Sequence, residues 1–357
     1  MLRHILIKYW GNKVMRKLLN TLYITNPDAY LSLDGENIVV RFEEKEMGRV
    51  PLHNLEGIVT MGYTGASPAL MGKCAEKNIG MTFLKPSGKF LAKVTGKSYG
   101  NILLRREQYR LAEDMEKRTI ISKNFIIGKI YNSRSVVERA LRDHSQRLDV
   151  DRLKRVSNNL KNAISLAREA KDCDQLRGYE GEAATSYFSV FDELILQQKE
   201  TFKFDHRNRR PPLDNVNALL SFSYALLTSM CSSALETVGL DPYAGFMHTD
   251  RPGRASLALD LMEELRPIMA DRFVVTLINK KLVNSDGFQC KENGAILIED
   301  ETRKIVLKLW QERKRETITH PFFEEKIEWG LIPYAQAMLL ARSIRGDLDE
   351  YPPFFWK

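Results

Sequence analysis

Between Gly245 and Pro267 the chain reads GFMHTDRPGRASLALDLMEELRP, which sets His248, Arg251 and Arg254 beside the acids Asp260, Glu263 and Glu264. An imidazole with carboxylates is a mostly hard, oxygen-rich donor set that favours magnesium or manganese over a thiolate-loving metal. Guanidiniums beside it suit an ion that handles phosphate, because they match phosphate oxygens in pairs. Helical periodicity alone gives a plainer reading. Leu257, Leu261, Leu265 and Ile268 fall on one face and the acids on the other, as on a solvated surface helix. Asp260 and Glu263, three residues apart, can still reach a common site. Pro252 and Gly253 lie in the loop between His248 and this helix, so the chain can fold back and bring the imidazole to the acids.

A second carboxylate stands on an unexpected face. In RGYEGEAATSYFSVFDELI, at 100° per residue, Glu180 shares a stripe with Ala184, Tyr187, Phe188, Phe191 and Ile195, whereas Glu182 and Glu193 lie opposite. An ionised carboxylate aimed at a core is costly unless it is paired, hydrogen-bonded or bound to a metal. The alternative is a place at the helix N-terminus, where the dipole favours an anion and solvent reaches it.

The elements that must position these groups fall into two regions. Residues 20–97 read as strands: TLYIT, then AYLSL and NIVVRF around DGE, then MTFLK and KFLAKVTG around PSG, all as hairpins. Between them SPALMGKCAEKN is a short helix with Ser67 as cap and Pro68 at its first position. After Gly100 turn signals thin out and helical periodicity runs, with breaks, to about residue 345. Helices are expected over residues 149–171, 179–198, 214–238, 256–270 and 300–316. The chain ends in the aromatic tail EYPPFFWK.

The 357 residues, 43% hydrophobic and 28% charged with 13 prolines, describe a chain folded throughout and long enough for two cores. The net charge of +8 favours polyanionic partners. Cys74, Cys173, Cys231 and Cys290 are far apart, which argues against a zinc knuckle and a disulfide framework and suits reduced thiols in a cytoplasm. The opening MLRHILIKYWGNKV is too short and interrupted for a signal peptide. VNALLSFSYALLTSMCSSAL, from Val216 to Leu235, is uncharged over a membrane's width, but its hydroxyls point to a buried core helix.

QLRGYEGEAATSYF, RRPPLDNVNALLSFSYALL, VGLDPYAGFMHTDRPGRASLALDLMEELRP and DRFV occur in that order, and with them the chain resembles the CRISPR-associated spacer-acquisition integrase family, closest to its subtype I-C branch. The resemblance runs from Met15 to Lys357. It implies a fold of class α+β, with an N-terminal β-sheet domain, sandwich-like, followed by a larger all-α C-terminal domain that carries a divalent-metal site. The expected division is an extension over 1–14, a β-rich dimerisation domain over 15–97, a linker over 98–104 and a helical catalytic domain over 105–357. Met15 is the expected natural start.

Carried over by position, the family's metal-binding glutamate in RGxEG matches Glu180, its histidine in GFxH matches His248, and its third acid matches Glu263, with Asp260 accessory. The resemblance implies Mg2+ or Mn2+ and attack by a 3′-hydroxyl of captured DNA on a phosphodiester at the border of a repeat. It implies a homodimer, a small second CRISPR-associated protein as partner, double-stranded and branched DNA as substrate, and a nuclease of the fourth CRISPR-associated family as assistant. Arg251, Arg254, Arg209 and Arg210 are the candidate phosphate contacts. Two other readings fit the same residues: a non-catalytic DNA-binding scaffold whose acids complete a structural network, and a metal-dependent phosphoesterase of small substrates.

Overall fold

The computed structural model describes residues 21–356 apart from residues 25, 44, 56, 78, 86–89, 95 and 97–100. The proposed extension and part of the proposed linker lie outside the described residues. Seven strands come first: β1 (Thr21–Ile24), β2 (Tyr30–Asp34), β3 (Asn37–Phe42), β4 (Lys45–Pro51), β5 (Gly57–Met61), β6 (Gly80–Leu84) and β7 (Phe90–Val94). They form a three-stranded sheet in the order β2-β3-β4 and a four-stranded sheet in the order β1-β5-β6-β7.

The β2–β3 hairpin turns at Gly35, whose φ of 56° lies in the left-handed region that glycine enters without a Cβ clash. The β6–β7 pair is antiparallel, as expected around PSG. Elsewhere in that sheet the pairing is parallel, β1 with β5 and β5 with β6. A parallel pair needs a long crossover, and helix α1 (Pro68–Glu76) supplies it between β5 and β6. Ser67 caps that helix, its hydroxyl accepting the Leu70 N–H at 3.2 Å.

Strands β4 and β5 were not expected. GIVTM lacks alternation because it is covered on both sides: Ile58 joins the core of the strand region, with Leu31, Ile38 and Leu70, while Val59 and Met61 join the helical core. This strand, with Leu84 of β6, therefore docks the sheet on the helices. Lys93 on β7 adds an ion pair with Glu236.

The remainder is mostly helical: α2 (Ile102–Glu113), α3 (Met115–His144), α4 (Val150–Glu169), α5 (Cys173–Phe188), α6 (Asn215–Val238), α7 (Ser256–Glu263), α8 (Arg272–Asn279), α9 (Asp300–Arg315) and α10 (Ile332–Ile344). It is not all-α. Three-residue strands pair as β8–β9 (Phe288–Cys290, Ile296–Ile298) and β10–β11 (Thr317–Thr319, Lys326–Glu328), too short to show a period in sequence. Helix α6 is long and apolar enough to cross a membrane, but most of its apolar window is buried in protein. Its ends are set by Asp214, which accepts the Asn217 N–H at 2.7 Å, and by Gly239 at a φ of 90°. Among the cysteines, Cys74, Cys173 and Cys231 are buried, Cys290 is exposed, and all are unpaired.

Two helix boundaries bear on the site. Asp172 accepts the Gln175 N–H at 2.8 Å and starts α5 at Cys173, so Glu180 lies two turns inside the helix and not at its N-terminus. The helix expected over 256–270 stops at Glu263, and Arg266–Asp271 forms a π-helical turn. Pro267 has no N–H to give and its ring crowds the carbonyl four residues back, so the α-helical ladder cannot run through it.

The aromatic tail closes over this region. The buried Glu264 carboxylate accepts from Gln336 Nε2 at 3.0 Å, from the Phe354 N–H at 2.8 Å and from the Tyr351 hydroxyl. Asn132 on α3 donates to the carbonyls of Glu264 and Phe354, each at 2.7 Å. Gly128 permits this approach, since a Cβ there would lie 2.9 Å from Glu264 Cβ and 3.0 Å from Pro353 Cβ.

Gln336 also bonds His320 Nε2 at 3.0 Å, and burial pulls that imidazole from 6.5 down to about 4. Held neutral in the fold, His320 gives stability that is complete above pH 6.5 and lost as pH falls through about 4. The loss amounts to about 3 kcal/mol. Thermal unfolding of wild type and His320→Asn between pH 7 and 4 should show this acid-dependent part absent from the variant; parallel pH curves would refute it.

Candidate active site

The loop before α7 is built around one carboxylate. Asp260 is fully buried, and its Oδ2 accepts the N–H groups of Phe246 at 2.6 Å and Met247 at 3.0 Å. Its Oδ1 takes the His248 N–H at 2.9 Å and faces His248 Nδ1 at 2.6 Å. With backbone donors already arrayed on this acceptor-only carboxylate, Nδ1 must carry a proton, which makes Nε2 the ring nitrogen available to a metal. Gly245 lets the loop close, for a Cβ there would meet the His248 carbonyl and Ser256 Cβ at 2.7 Å. Asp260 therefore positions His248 from behind and does not face a common site with Glu263.

Nε2 of His248 looks across 4.0 Å to Glu263 Oε1. Glu263 is nearly buried and is held by two cations, Arg266 at 3.0 Å and Lys129 Nζ at 2.8 Å. Burial would raise its carboxyl, but Arg266, Lys129 and His248 outweigh burial and hold it at about 2. The same Lys129 ammonium contacts Glu180 Oε1. Burial opposes the lysine's charge, yet Glu263 and Glu180 together raise its value. One cation thus joins carboxylates that are more than eighty residues apart in sequence, from α5 and α7, with α3 supplying the charge.

Glu180 and Lys129 open onto a cavity of about 510 Å3 whose wall includes Arg207, Arg209, Arg266 and Tyr224. The guanidiniums of Arg207 and Arg266 both stack on the Tyr224 ring, at 5.2 and 5.0 Å. The Tyr224 hydroxyl donates to Asp271 at 2.6 Å, and burial pushes the Asp271 carboxyl up to about 6 against that bond. The wall is therefore basic and rigid.

Of the arginines named from sequence, Arg209 lines this cavity, while Arg210 is exposed and does not line it. Arg251 is exposed on the far side of the loop, beside Tyr109 and Tyr243. Arg254 is occupied in closing its own loop, donating to the Thr249 carbonyl and to Ser256 Oγ at 3.2 Å. Sequence reasoning missed Lys129, Arg207 and Arg266 as site residues. Lys129 carried the signal that identified Glu180: in FIIGKI it shares a helix face with Phe125 and Ser133, a charge on an apolar stripe.

Among the described residues no three His, Cys, Asp or Glu side chains come together as a ready cluster for a metal. The donor set nevertheless fits a hard divalent cation. Two carboxylates already share one positive charge, and an imidazole nitrogen with its tautomer fixed faces one of them. Glu180, Glu263 and His248 Nε2 are the groups that would hold it.

The family model described as CRISPR associated protein Cas1 matches residues 22–312. A CRISPR-associated endonuclease Cas1 of Chlorobaculum tepidum is 49% identical over 96% of this chain and all of its own. A CRISPR-associated exonuclease Cas4/endonuclease Cas1 fusion of Geobacter sulfurreducens is 33% identical over 93% of this chain and 60% of its own. Among solved structures, a casposase bound to integration product superposes with a TM-score of 0.81 at 22% identity, covering 95% of this chain and 94% of the casposase. A Cas6-RT-Cas1 chain in a complex with Cas2 also gives 0.81 at 22% identity, over 97% of this chain and 37% of that one. At such identity the likeness is one of fold.

Proposed function

The chain belongs to the CRISPR-associated protein Cas1 family, and from that premise we propose that it inserts captured foreign DNA into a CRISPR array as new spacers, with Glu180, His248 and Glu263 at its catalytic centre. It is an endonuclease and an integrase of CRISPR adaptation. The observation that carries the site assignment is the convergence of Glu180 and Glu263, from separate helices, on one cation beside a basic cavity.

A divalent ion, Mg2+ or Mn2+, would supply charge neutralisation at the phosphodiester and a more acidic nucleophilic hydroxyl. Glu180, Glu263 and His248 would bind it, and Asp260 holds the His248 ring so that Nε2 is the nitrogen turned toward it. Arg207, Arg209 and Arg266 would orient the phosphate so that the 3′-hydroxyl of the incoming DNA lies in line with the bond to be broken. The new phosphorus–oxygen bond then forms as the strand on the 3′-oxygen side of the broken bond leaves with a free 3′-hydroxyl, taking up the proton that the attacking hydroxyl gives up. With water in place of that hydroxyl the same groups give cleavage.

The wider reading is of a protein of the subtype I-C branch, acting in the cytoplasm and pairing through a β-rich domain over residues 15–97 ahead of a helical catalytic domain over 105–357. The small Cas2 protein is its proposed partner, as in the complex whose Cas1 portion shares this fold. A Cas4-type nuclease is the proposed assistant, in keeping with relatives that carry both proteins in one chain. A strand-transfer assay on branched and repeat-containing DNA, titrated with Mg2+ and Mn2+, tests the catalytic reading. Joined product that appears only with metal is expected. Tight, salt-sensitive DNA binding without product in either metal would instead mark a scaffold.

A further inference from the structure

The proposed chemistry leaves Lys129 without a task. It sits in the middle of α3, its side chain 13% exposed, with Nζ 2.8 Å from Glu263 Oε2 and in contact with Glu180 Oε1. The two cations on Glu263 differ in kind. Arg266 is clamped, its guanidinium on the Tyr224 ring and 3.0 Å from Oε1. Lys129 is a point charge on a flexible stem that also lines the cavity holding Arg207 and Arg209. Beyond the carboxylate pair, the cavity it lines offers Asp271, which the Tyr224 hydroxyl already engages, and whatever phosphate enters.

A divalent cation held by Glu180 and Glu263 would compete with the Lys129 ammonium for the same two carboxylates, and like charges brought together in a poorly solvated site repel strongly. The lysine must then leave its carboxylates. Leaving for a cavity without a phosphate strands a charge among Arg207, Arg209 and Arg266, whereas leaving for a phosphate restores its pairing. Resting on the metal-site reading above, we propose that Lys129 is a resident cation that the metal displaces and DNA phosphate receives, so that metal loading and DNA binding are coupled. By linkage each ligand then strengthens the other equally.

The test is Mn2+ affinity, read by electron paramagnetic resonance or calorimetry, for wild type and the neutral variants Lys129→Met and Lys129→Gln. Each is titrated with and without a nuclease-resistant phosphorothioate duplex, with Glu180→Gln as the blank for manganese held by the DNA itself. Thermal unfolding identifies which neutral variant is folded, and one suffices. Without DNA the neutral variant should bind Mn2+ about tenfold more tightly than wild type, and DNA should tighten wild type by about tenfold while leaving the variant nearly unchanged. Equal or weaker Mn2+ binding by the variant, or a DNA effect of the same size in both proteins, would overturn the coupling while leaving the metal site intact. Manganese binding that does not respond to Glu180→Gln would overturn the metal site itself, and the coupling with it.

Discussion

Glu180→Gln should reduce both strand transfer and cleavage by about a thousandfold or more, because it removes one charged oxygen ligand from an ion asked for several kcal/mol of transition-state stabilisation. The side chain is 22% exposed and, among the described residues, its ion pair is with Lys129, so the fold should tolerate the change. Glu263→Gln should lose as much activity for the same reason but also cost stability. It leaves Arg266, and with it Lys129, next to a neutral amide in a buried site, and breaking a buried pair costs about 3–5 kcal/mol. His248→Ala should resemble Glu180→Gln. The measurements are turnover on branched DNA beside a thermal midpoint for each variant. Near-wild-type product from folded Glu180→Gln would remove that residue from the centre.

Asp260→Asn should have the second largest effect, and on two readouts at once. The carboxylate gathers three backbone N–H groups and the His248 ring. An amide offers one oxygen to them and turns an NH2 toward the rest. Loss of about 3 kcal/mol of stability is expected, in line with leaving buried donors unsatisfied. A purely structural role would end there. A positioning role adds a change in the His248 tautomer, visible in the nitrogen-15 shifts of the imidazole, and a drop in metal affinity of about 10–100-fold. An unchanged tautomer in a folded Asp260→Asn protein would reduce Asp260 to a loop staple.

Several features were legible before any coordinates. Ser67 and Pro68 announced α1, because capping chemistry is local, and helical periodicity placed α6 over 214–238. The turn DGE placed the β2–β3 hairpin. Glu180 was singled out by facing the wrong way. Strand β5 was missed because burial on both faces erases the alternation by which strands are found, and the parallel pairing of β1, β5 and β6 depends on which segments meet after a crossover. Asp260 was read as accessory, and its spacing left a site shared with Glu263 open; only the fold shows that the backbone of residues 246–248 closes on it and that it supports His248.

By itself the sequence determined the kinds of chemistry present: hard carboxylate oxygens, an imidazole among them at His248, an excess of basic side chains, and a charge at Glu180 that no ordinary core accepts unpaired. It also determined the family, through motifs whose order survives divergence. Only the tertiary structure decided which charges answer one another. Lys129, Glu180 and Glu263 lie on three helices, α3, α5 and α7, and nothing local in any of them names its partners. Their meeting depends on the close approach that Gly128 allows and on the break that Pro267 imposes after α7. Pairing over such sequence distances is set by packing of the whole helical core, and the energy of a buried charge is settled by whatever that packing brings beside it.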